Sequence, residues 1–113
     1  MQEADADGNV AFTTIFPGCY AGRMPHVHFE VYPTMARSTV AANRIKTSQF
    51  TFPALTSAEA YTATGYTSSV RNLAGISLAT DNVFSDGATL QTAAMTGTAA
   101  TGFVATLQVG VSL

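Results

Sequence analysis

Residues 26–32, with the sequence HVHFEVY, narrow the choice of fold more than any other segment of the chain. Polar and apolar side chains alternate along it as they do in a β-strand, and Pro33 ends it because proline has no N–H for a strand ladder. This alternation places the two histidines of the chain, His26 and His28, on one face of the strand. They are then about 6.5 to 7 Å apart along the chain, which suits two ligands of one metal ion.

Strand-forming residues also dominate the remainder of the sequence. Thr and Val are frequent, glycines interrupt the apolar runs, and stretches with the amphipathic period of a helix are scarce. The chain has 113 residues and is 47% hydrophobic, which is enough for one small core. We therefore expect a single all-β domain covering residues 1–113, with short helical turns in its loops.

Three further segments have the pattern of strands. Residues 10–16 alternate after a DADG turn at 5–8 and are followed by Pro17. Residues 88–97 and 102–111 are two strand-like runs joined by a short connection of Thr and Ala. We expect the first segment to be a strand and the last two to form a closing hairpin.

Helical structure is expected in two places. Residues 36–45, ARSTVAANRI, predict either one short helix or an irregular crossing. Residues 57–61, SAEAY, predict a helical turn with Ser57 as its N-cap. Residues 77–87, SLATDNVFSDG, are rich in turn formers, and we expect them to wrap the surface.

The charge and the apolar content argue against several classes of function. Only 11% of the residues are charged and the net charge is -2, so no basic surface is available for a nucleic acid. No apolar run approaches the roughly 20 residues that span a bilayer, and the acidic first ten residues do not resemble a secretory leader. Cys19 is the single cysteine and forms no internal disulfide. We expect neither a nucleic acid nor a membrane as partner, and the sequence assigns no compartment.

The loop before the histidines, CYAGRMP at residues 19–25, supplies further polar groups. Tyr20 lies within reach of the two histidines and can act as a third metal ligand. The alternative is a solvent-facing histidine pair, with the Tyr20 hydroxyl simply hydrogen-bonded at the rim of the fold. Arg23 has the alternative of a surface salt bridge to Glu30 or to an aspartate.

The longer segment TTIFPGCYAGRMPHVHFEVYP, residues 13–33, resembles the signature of the intradiol ring-cleavage dioxygenases, which reads P-G-x-Y followed by R-x-x-H-x-H. The segments SLATDNVFSDG and GFVATLQVGV are similar to bacterial dioxygenase-like proteins, so the resemblance extends over essentially the whole chain. It implies a β-sandwich and a non-haem ferric ion, Fe(III), as cofactor. The iron ligands that it implies are Tyr20, His26 and His28.

The resemblance also implies a reaction. Enzymes of this family cleave catechol-type aromatic diols with O2 to muconate-type diacids. Tyr20 would leave the iron when the diol binds and accept one of its protons, while Arg23 would stabilise the charge that develops on the ring. Gln49, in KTSQF, matches a glutamine that pairs with this arginine. Phenolate is a hard anionic donor, which suits a trivalent cation.

One ligand of the family pattern is missing. The family's first tyrosine ligand lies on a strand well before the P-G-x-Y motif, and here no tyrosine precedes Tyr20. Tyr32, Tyr61 and Tyr66 follow the histidines in unrelated contexts and do not replace it. The chain thus resembles the C-terminal half of such an enzyme, and we expect an incomplete sandwich that associates with a second copy or with a missing N-terminal half. With three ligands, we expect little ring cleavage by the isolated chain.

Two other functions remain open from the sequence. A non-catalytic β-sandwich module for binding or assembly would keep the motif as a scaffold. A copper site would use Cys19, Met24, His26 and His28, although four such ligands within ten residues crowd the loop. The alternative for Cys19 is the role of a small buried apolar residue.

Overall fold

Two pairs of strands and two α-helices make up most of the regular structure. In chain order, these elements are β1 (His26–Val31), β2 (Lys46–Thr51), α1 (Ala54–Ala60), α2 (Thr67–Ala74), β3 (Ala94–Thr98) and β4 (Gly102–Thr106). β1 pairs with β2 and β3 pairs with β4, which gives two separate two-stranded sheets. The computed structural model describes all residues from 1 to 113.

The chain divides into two compact units. Unit 1 contains Met1–Ile15, His28–Ser48 and Val109–Leu113, and unit 2 contains Phe16–Val27 and Gln49–Gln108. Unit 2 holds both α-helices and the hairpin of β3 and β4. β1 and β2 each contribute residues to both units.

Two hydrophobic clusters stabilise unit 2. The first is built from the buried residues Cys19, Ala60 and Tyr61, and the second from Met24, Phe84 and Ala88. Leu73 of α2 and Ile76 just after it pack against both clusters. Because Cys19 and Met24 belong to the loop before β1, this loop is anchored in apolar surroundings on both sides of Tyr20.

β1 has the alternation that its sequence predicts. Val27, Phe29 and Val31 are half-buried, whereas His28 and Glu30 are exposed. The predicted strand is confirmed, and it ends one residue earlier than expected. Its partner β2, with the sequence KTSQFT, is not predicted, since few of its side chains are apolar.

The strand predicted for residues 10–16 is wrong, because these residues belong to neither sheet. Val10, Phe12 and Ile15 are 49%, 63% and 79% exposed. An alternating pattern forms a strand only where a neighbouring strand accepts its hydrogen bonds and packs on one face, and this segment has no such neighbour. The strand and coil character with few helices is confirmed, and the strands form two sheets of two strands each. The finer prediction of a β-sandwich is not confirmed.

The helical predictions are partly right. Residues 36–45 contain two 3-10 turns, Ala36–Thr39 and Ala41–Asn43, with Val40 between them. Helix α1 begins after Pro53, and Ser57 is a buried residue inside it instead of its N-cap. The Ser57 hydroxyl donates to the carbonyl oxygen of Pro53 at 3.3 Å, within the first turn.

Helix α2 is not predicted by the sequence, since Val70 and Leu73 are its only large apolar residues. Val70 is exposed, while Leu73 packs against both hydrophobic clusters. No helix of the protein is long and apolar enough to cross a membrane.

The C-terminal hairpin is confirmed, with shorter strands than predicted. β3 and β4 run antiparallel, with Thr96 opposite Val104. Residues 91–93 instead join the end of β2: the N–H of Thr51 donates to the carbonyl of Gln91 at 2.8 Å, and the N–H of Ala93 donates to the carbonyl of Thr51 at 2.9 Å. The hairpin is thereby connected to the strand that carries Gln49.

Gly97→Ala is expected to destabilise this hairpin. Gly97 has a φ of +96°, where a side chain is strained, and a Cβ there would collide with the carbonyl oxygen of Gly102 on the facing strand. We expect the free energy of unfolding to fall by more than about 1 kcal/mol, measured by urea denaturation. Gly110→Ala is the matched control, because a Cβ at Gly110 would meet nothing within 4 Å. Equal stability of the two variants would show that the hairpin does not have this geometry.

Candidate functional site

Two tyrosines hold the start of the loop that leads to the candidate site. The Tyr66 hydroxyl donates to the carbonyl of Phe16 at 2.6 Å, and the Tyr61 hydroxyl donates to the carbonyl of Pro17 at 2.9 Å. Burial raises the pKa of Tyr61, so its hydroxyl stays protonated and remains a donor. Both hydroxyls therefore bind backbone carbonyls of the loop.

Helix α2 binds both backbone groups of Cys19. The N–H of Cys19 donates to Oγ of Ser69 at 2.9 Å, and Nδ2 of Asn72 donates to the carbonyl of Cys19 at 2.9 Å. Gly18 allows this close approach, because a Cβ there would lie 3.1 Å from Oγ of Ser69. The thiol of Cys19 is buried, which raises its pKa, and Sγ lies 3.3 Å from the carbonyl oxygen of Arg23.

A turn at Gly22 presents Tyr20 to solvent. The N–H of Arg23 donates to the carbonyl of Tyr20 at 3.4 Å, and Gly22 has a φ of +87°, a conformation that favours glycine. Tyr20 is 57% exposed, whereas its neighbours in the loop, Cys19 and Met24, are buried. The tyrosine therefore projects from a backbone that is fixed on both sides.

The guanidinium of Arg23 has a partner at each of its three nitrogens. Nε donates to Oδ2 of Asp81 at 2.8 Å, and Nη2 donates to Oε1 of Gln49 at 2.6 Å. Nη1 makes a longer contact of 3.4 Å with the Tyr20 hydroxyl. The charge also lies over the ring of Phe84, 5.9 Å from its centroid. The pairing with Gln49 that the resemblance implies is present, and so is an ion pair with an aspartate, although this pair is buried and not at the surface.

Asp81 is fully buried, and its carboxylate accepts four hydrogen bonds. Oδ2 accepts from Nε of Arg23 and from the N–H of Met24 at 2.7 Å, while Oδ1 accepts from the N–H groups of Val83 and Phe84 at 2.8 and 3.1 Å. Burial alone raises the pKa of a carboxyl, but these hydrogen bonds, led by Arg23, lower the pKa of Asp81 from 3.8 to about 2. Asp81 is therefore ionised at neutral pH and forms a buried ion pair.

Gln49, near the end of β2, is fixed through its backbone and its side chain. Its carbonyl accepts from Nε2 of Gln91 at 2.9 Å, and its side-chain oxygen accepts from Arg23. Two positions further along β2, the Thr51 hydroxyl donates to the carbonyl of Pro25 at 2.6 Å. β2, the loop and the turn that contains Asp81 therefore meet around one guanidinium.

His26 lies at the start of β1, beside Tyr20. Its Nδ1 is 2.8 Å from the carbonyl oxygen of Met24, and because a carbonyl only accepts, Nδ1 carries the proton of the neutral ring. Nε2 is then left with a lone pair, which is the arrangement typical of a metal-binding histidine. The rings of Tyr20 and His26 pack edge to face with their centroids 5.8 Å apart.

His28 belongs to unit 1, where its partner is Glu30. Nε2 of His28 lies 3.4 Å from Oε1 of Glu30. Glu30 also accepts from the Tyr32 hydroxyl at 2.7 Å and from Nη1 of Arg44 at 3.1 Å, and the hydrogen bond from Tyr32 is the main cause of the lowered pKa of Glu30. Among the implied iron ligands, His28 is thus the one that is engaged with a carboxylate.

The copper ligand set is not assembled. Cys19 lies in the first hydrophobic cluster and Met24 in the second, and both are buried. No three side chains of His, Cys, Asp or Glu form a group that could hold a metal ion. Cys19 therefore has the role of a small buried apolar residue.

The donor atoms of Tyr20 and His26 are of chemical types that suit ferric iron. Tyr20 offers an exposed phenol oxygen, a hard donor, and His26 offers the lone pair of Nε2 on an adjacent ring. Both side chains project from backbone that other residues hold in place.

Sequence reasoning missed Asp81. This residue is 58 positions from Arg23, in a segment whose composition reads as a surface turn. The sequence pair Asp-Asn at 81–82 could have indicated its role, since an aspartate at the start of a turn accepts hydrogen bonds from the backbone N–H groups that follow it. Oδ1 of Asp81 accepts in this way from Val83 and Phe84. No sequence pattern indicates the hydrogen bonds that bind the loop to Tyr61, Tyr66, Ser69 and Asn72.

Protonation of Asp81 is expected to destabilise the protein in acid. Because the pKa of Asp81 is lower in the folded chain than its ordinary 3.8, its contribution is complete above about pH 4 and is lost as the pH falls toward 2. The loss amounts to about 2 kcal/mol, measured as the free energy of unfolding against pH.

Asp81→Asn should remove this dependence, whereas Asp86→Asn, a change at an exposed aspartate nearby, should leave it intact. An unchanged pH profile in Asp81→Asn would contradict the assignment of the acid transition to Asp81.

Comparison with known proteins supplies no relative for this chain. No protein-family model matches the sequence, and neither curated proteins nor solved structures give a match.

Proposed function

We propose that the protein is an intradiol-type dioxygenase, or the iron-binding part of one, that binds Fe(III) through Tyr20, His26 and His28. An enzyme of this kind cleaves catechol-type aromatic diols with O2 to muconate-type diacids. The observation that carries the proposal is the Arg23 guanidinium, which contacts both the Tyr20 hydroxyl and the side chain of Gln49. A tyrosine, an arginine and a glutamine in contact are the groups expected of an intradiol site. In this proposal the two sheets would belong to a β-sandwich of the kind that these enzymes have.

His26 would bind the metal, and Tyr20 would bind the metal and accept a proton from the diol. When bound, ferric iron would act as a Lewis acid that favours the ionised form of the diol. The exposed hydroxyl of Tyr20, once ionised, can take a proton from a diol that approaches from solvent. His26 can offer Nε2 because Met24 holds its Nδ1.

Arg23 would stabilise the negative charge of the ionised diol. Asp81 and Gln49 bind Nε and Nη2, so Nη1, with its 3.4 Å contact to Tyr20, is the least engaged nitrogen. A fixed guanidinium needs no reorganisation when charge develops next to it. An anionic oxygen bound near the Tyr20 hydroxyl would gain from Nη1, whereas a neutral ligand would gain little.

A non-catalytic binding or assembly module is the second candidate. It is favoured by the way the polar groups satisfy one another: Asp81 and Gln49 bind Arg23, and Glu30 contacts Nε2 of His28. A scaffold with these contacts is stable without a metal. The two candidates differ in whether Tyr20 and the histidines take up iron.

Iron loading tests the proposal. The purified chain, reconstituted with ferric iron, should bind one ion per chain and develop the red to burgundy absorption of a ferric phenolate. Tyr20→Phe should lose this absorption because it lacks the phenol oxygen, while Tyr32→Phe, the matched control, should keep it. His26→Ala and His28→Ala should each reduce the bound iron, measured by metal analysis.

Addition of catechol to the iron-loaded chain should replace the tyrosinate band by a catecholate band at longer wavelength. A folded chain that stays colourless and iron-free after reconstitution would contradict the proposal and favour the binding module.

A further inference from the structure

Two of the three nitrogens of Arg23 are fixed by short hydrogen bonds to two different segments of unit 2. Asp81 binds Nε at 2.8 Å and Gln49 binds Nη2 at 2.6 Å. A guanidinium is planar and rigid, so two fixed nitrogens determine the position of the third. That third nitrogen is Nη1, which points to the Tyr20 hydroxyl.

Asp81 is itself held by four hydrogen bonds. Its side chain has no solvent exposure, and three backbone N–H groups bind it besides Arg23, those of Met24, Val83 and Phe84. The N–H of Met24 belongs to the loop and the other two belong to the turn after Asp81. The carboxylate therefore fixes the loop backbone and the Arg23 side chain relative to one another.

We propose that Asp81 is a positioning residue that aims Nη1 of Arg23 at the Tyr20 hydroxyl, where the anionic oxygen of an aromatic diol binds. The binding of a diol at this position rests on the function proposed above. The direction of Nη1, in contrast, is a property of the chain without metal or ligand. Asp81 touches neither the diol nor the metal, and it acts through Arg23.

Asparagine at this position tests the role of the charge. Its oxygen can still accept from Val83 and Phe84, but its amide nitrogen would face the donors Nε of Arg23 and N–H of Met24. Two donors repel each other, so the guanidinium is expected to turn away. Asp86→Asn, at an exposed aspartate, is the matched control.

The first measurement uses the iron-free chain and nitrogen-15 NMR of its arginine Nε–H groups. In the wild type, the Nε–H of Arg23 should exchange with solvent at least ten times more slowly than those of the three exposed arginines, because it is buried against a carboxylate. Arg23→Lys assigns the signal by its loss. Asp81→Asn should remove the protection and Asp86→Asn should not. Fast exchange of Arg23 in the wild type overturns the proposal even where Asp81→Asn does not fold.

The second measurement is the affinity of the iron-loaded chain for catechol, followed by its absorption. Asp81→Asn should weaken binding about tenfold, the size expected for one charge-assisted hydrogen bond, and should leave the bound iron unchanged. In an Arg23→Met background, Asp81→Asn should have no further effect, since Asp81 acts through Arg23. An equal loss in both backgrounds would mean a general structural role and would overturn the proposal. A wild type that binds no iron or catechol contradicts the proposed function alone, because the exchange measurement still decides the role of Asp81.

Discussion

A carboxylate without solvent contact exists in this protein because four N–H groups surround it. An unpaired buried charge is strongly destabilising, and removal of one partner from a buried pair typically costs about 3 to 5 kcal/mol. Asp81 therefore requires that Arg23, the loop at Met24 and the turn at Val83 and Phe84 come together in one arrangement. This requirement fixes the position of the Arg23 guanidinium. The guanidinium in turn positions the polar groups beside Tyr20.

The loop that carries Tyr20 has no regular structure, so its backbone groups need other partners. Side chains from the helical region supply them: the hydroxyls of Tyr61 and Tyr66 at the start, and Ser69 and Asn72 of α2 at Cys19. These contacts use polar residues that would otherwise be expected on a helix surface. A loop held in this way can expose one large aromatic side chain and still define its direction, as a binding site requires.

The sequence predicts those elements of the fold that are determined by residues close together in the chain. The alternation of 26–32 predicts β1, and the runs around 94–106 predict the hairpin, because each pattern is local. Residues 10–16 have an equally regular alternation and form no strand, since a strand also requires a partner that no local pattern reveals.

Contacts across long stretches of chain decide the candidate site. The pairing of Arg23 with Gln49 follows from the resemblance to a known motif, whereas its pairing with Asp81 spans 58 positions and a turn-like sequence. The most direct test is therefore a double-mutant cycle of Arg23→Met and Asp81→Asn on the free energy of unfolding. A buried pair that organises the site predicts that the two changes together destabilise the chain by about 1 to 3 kcal/mol less than the sum of the single changes. Additivity within about 0.5 kcal/mol would contradict a site organised by this ion pair.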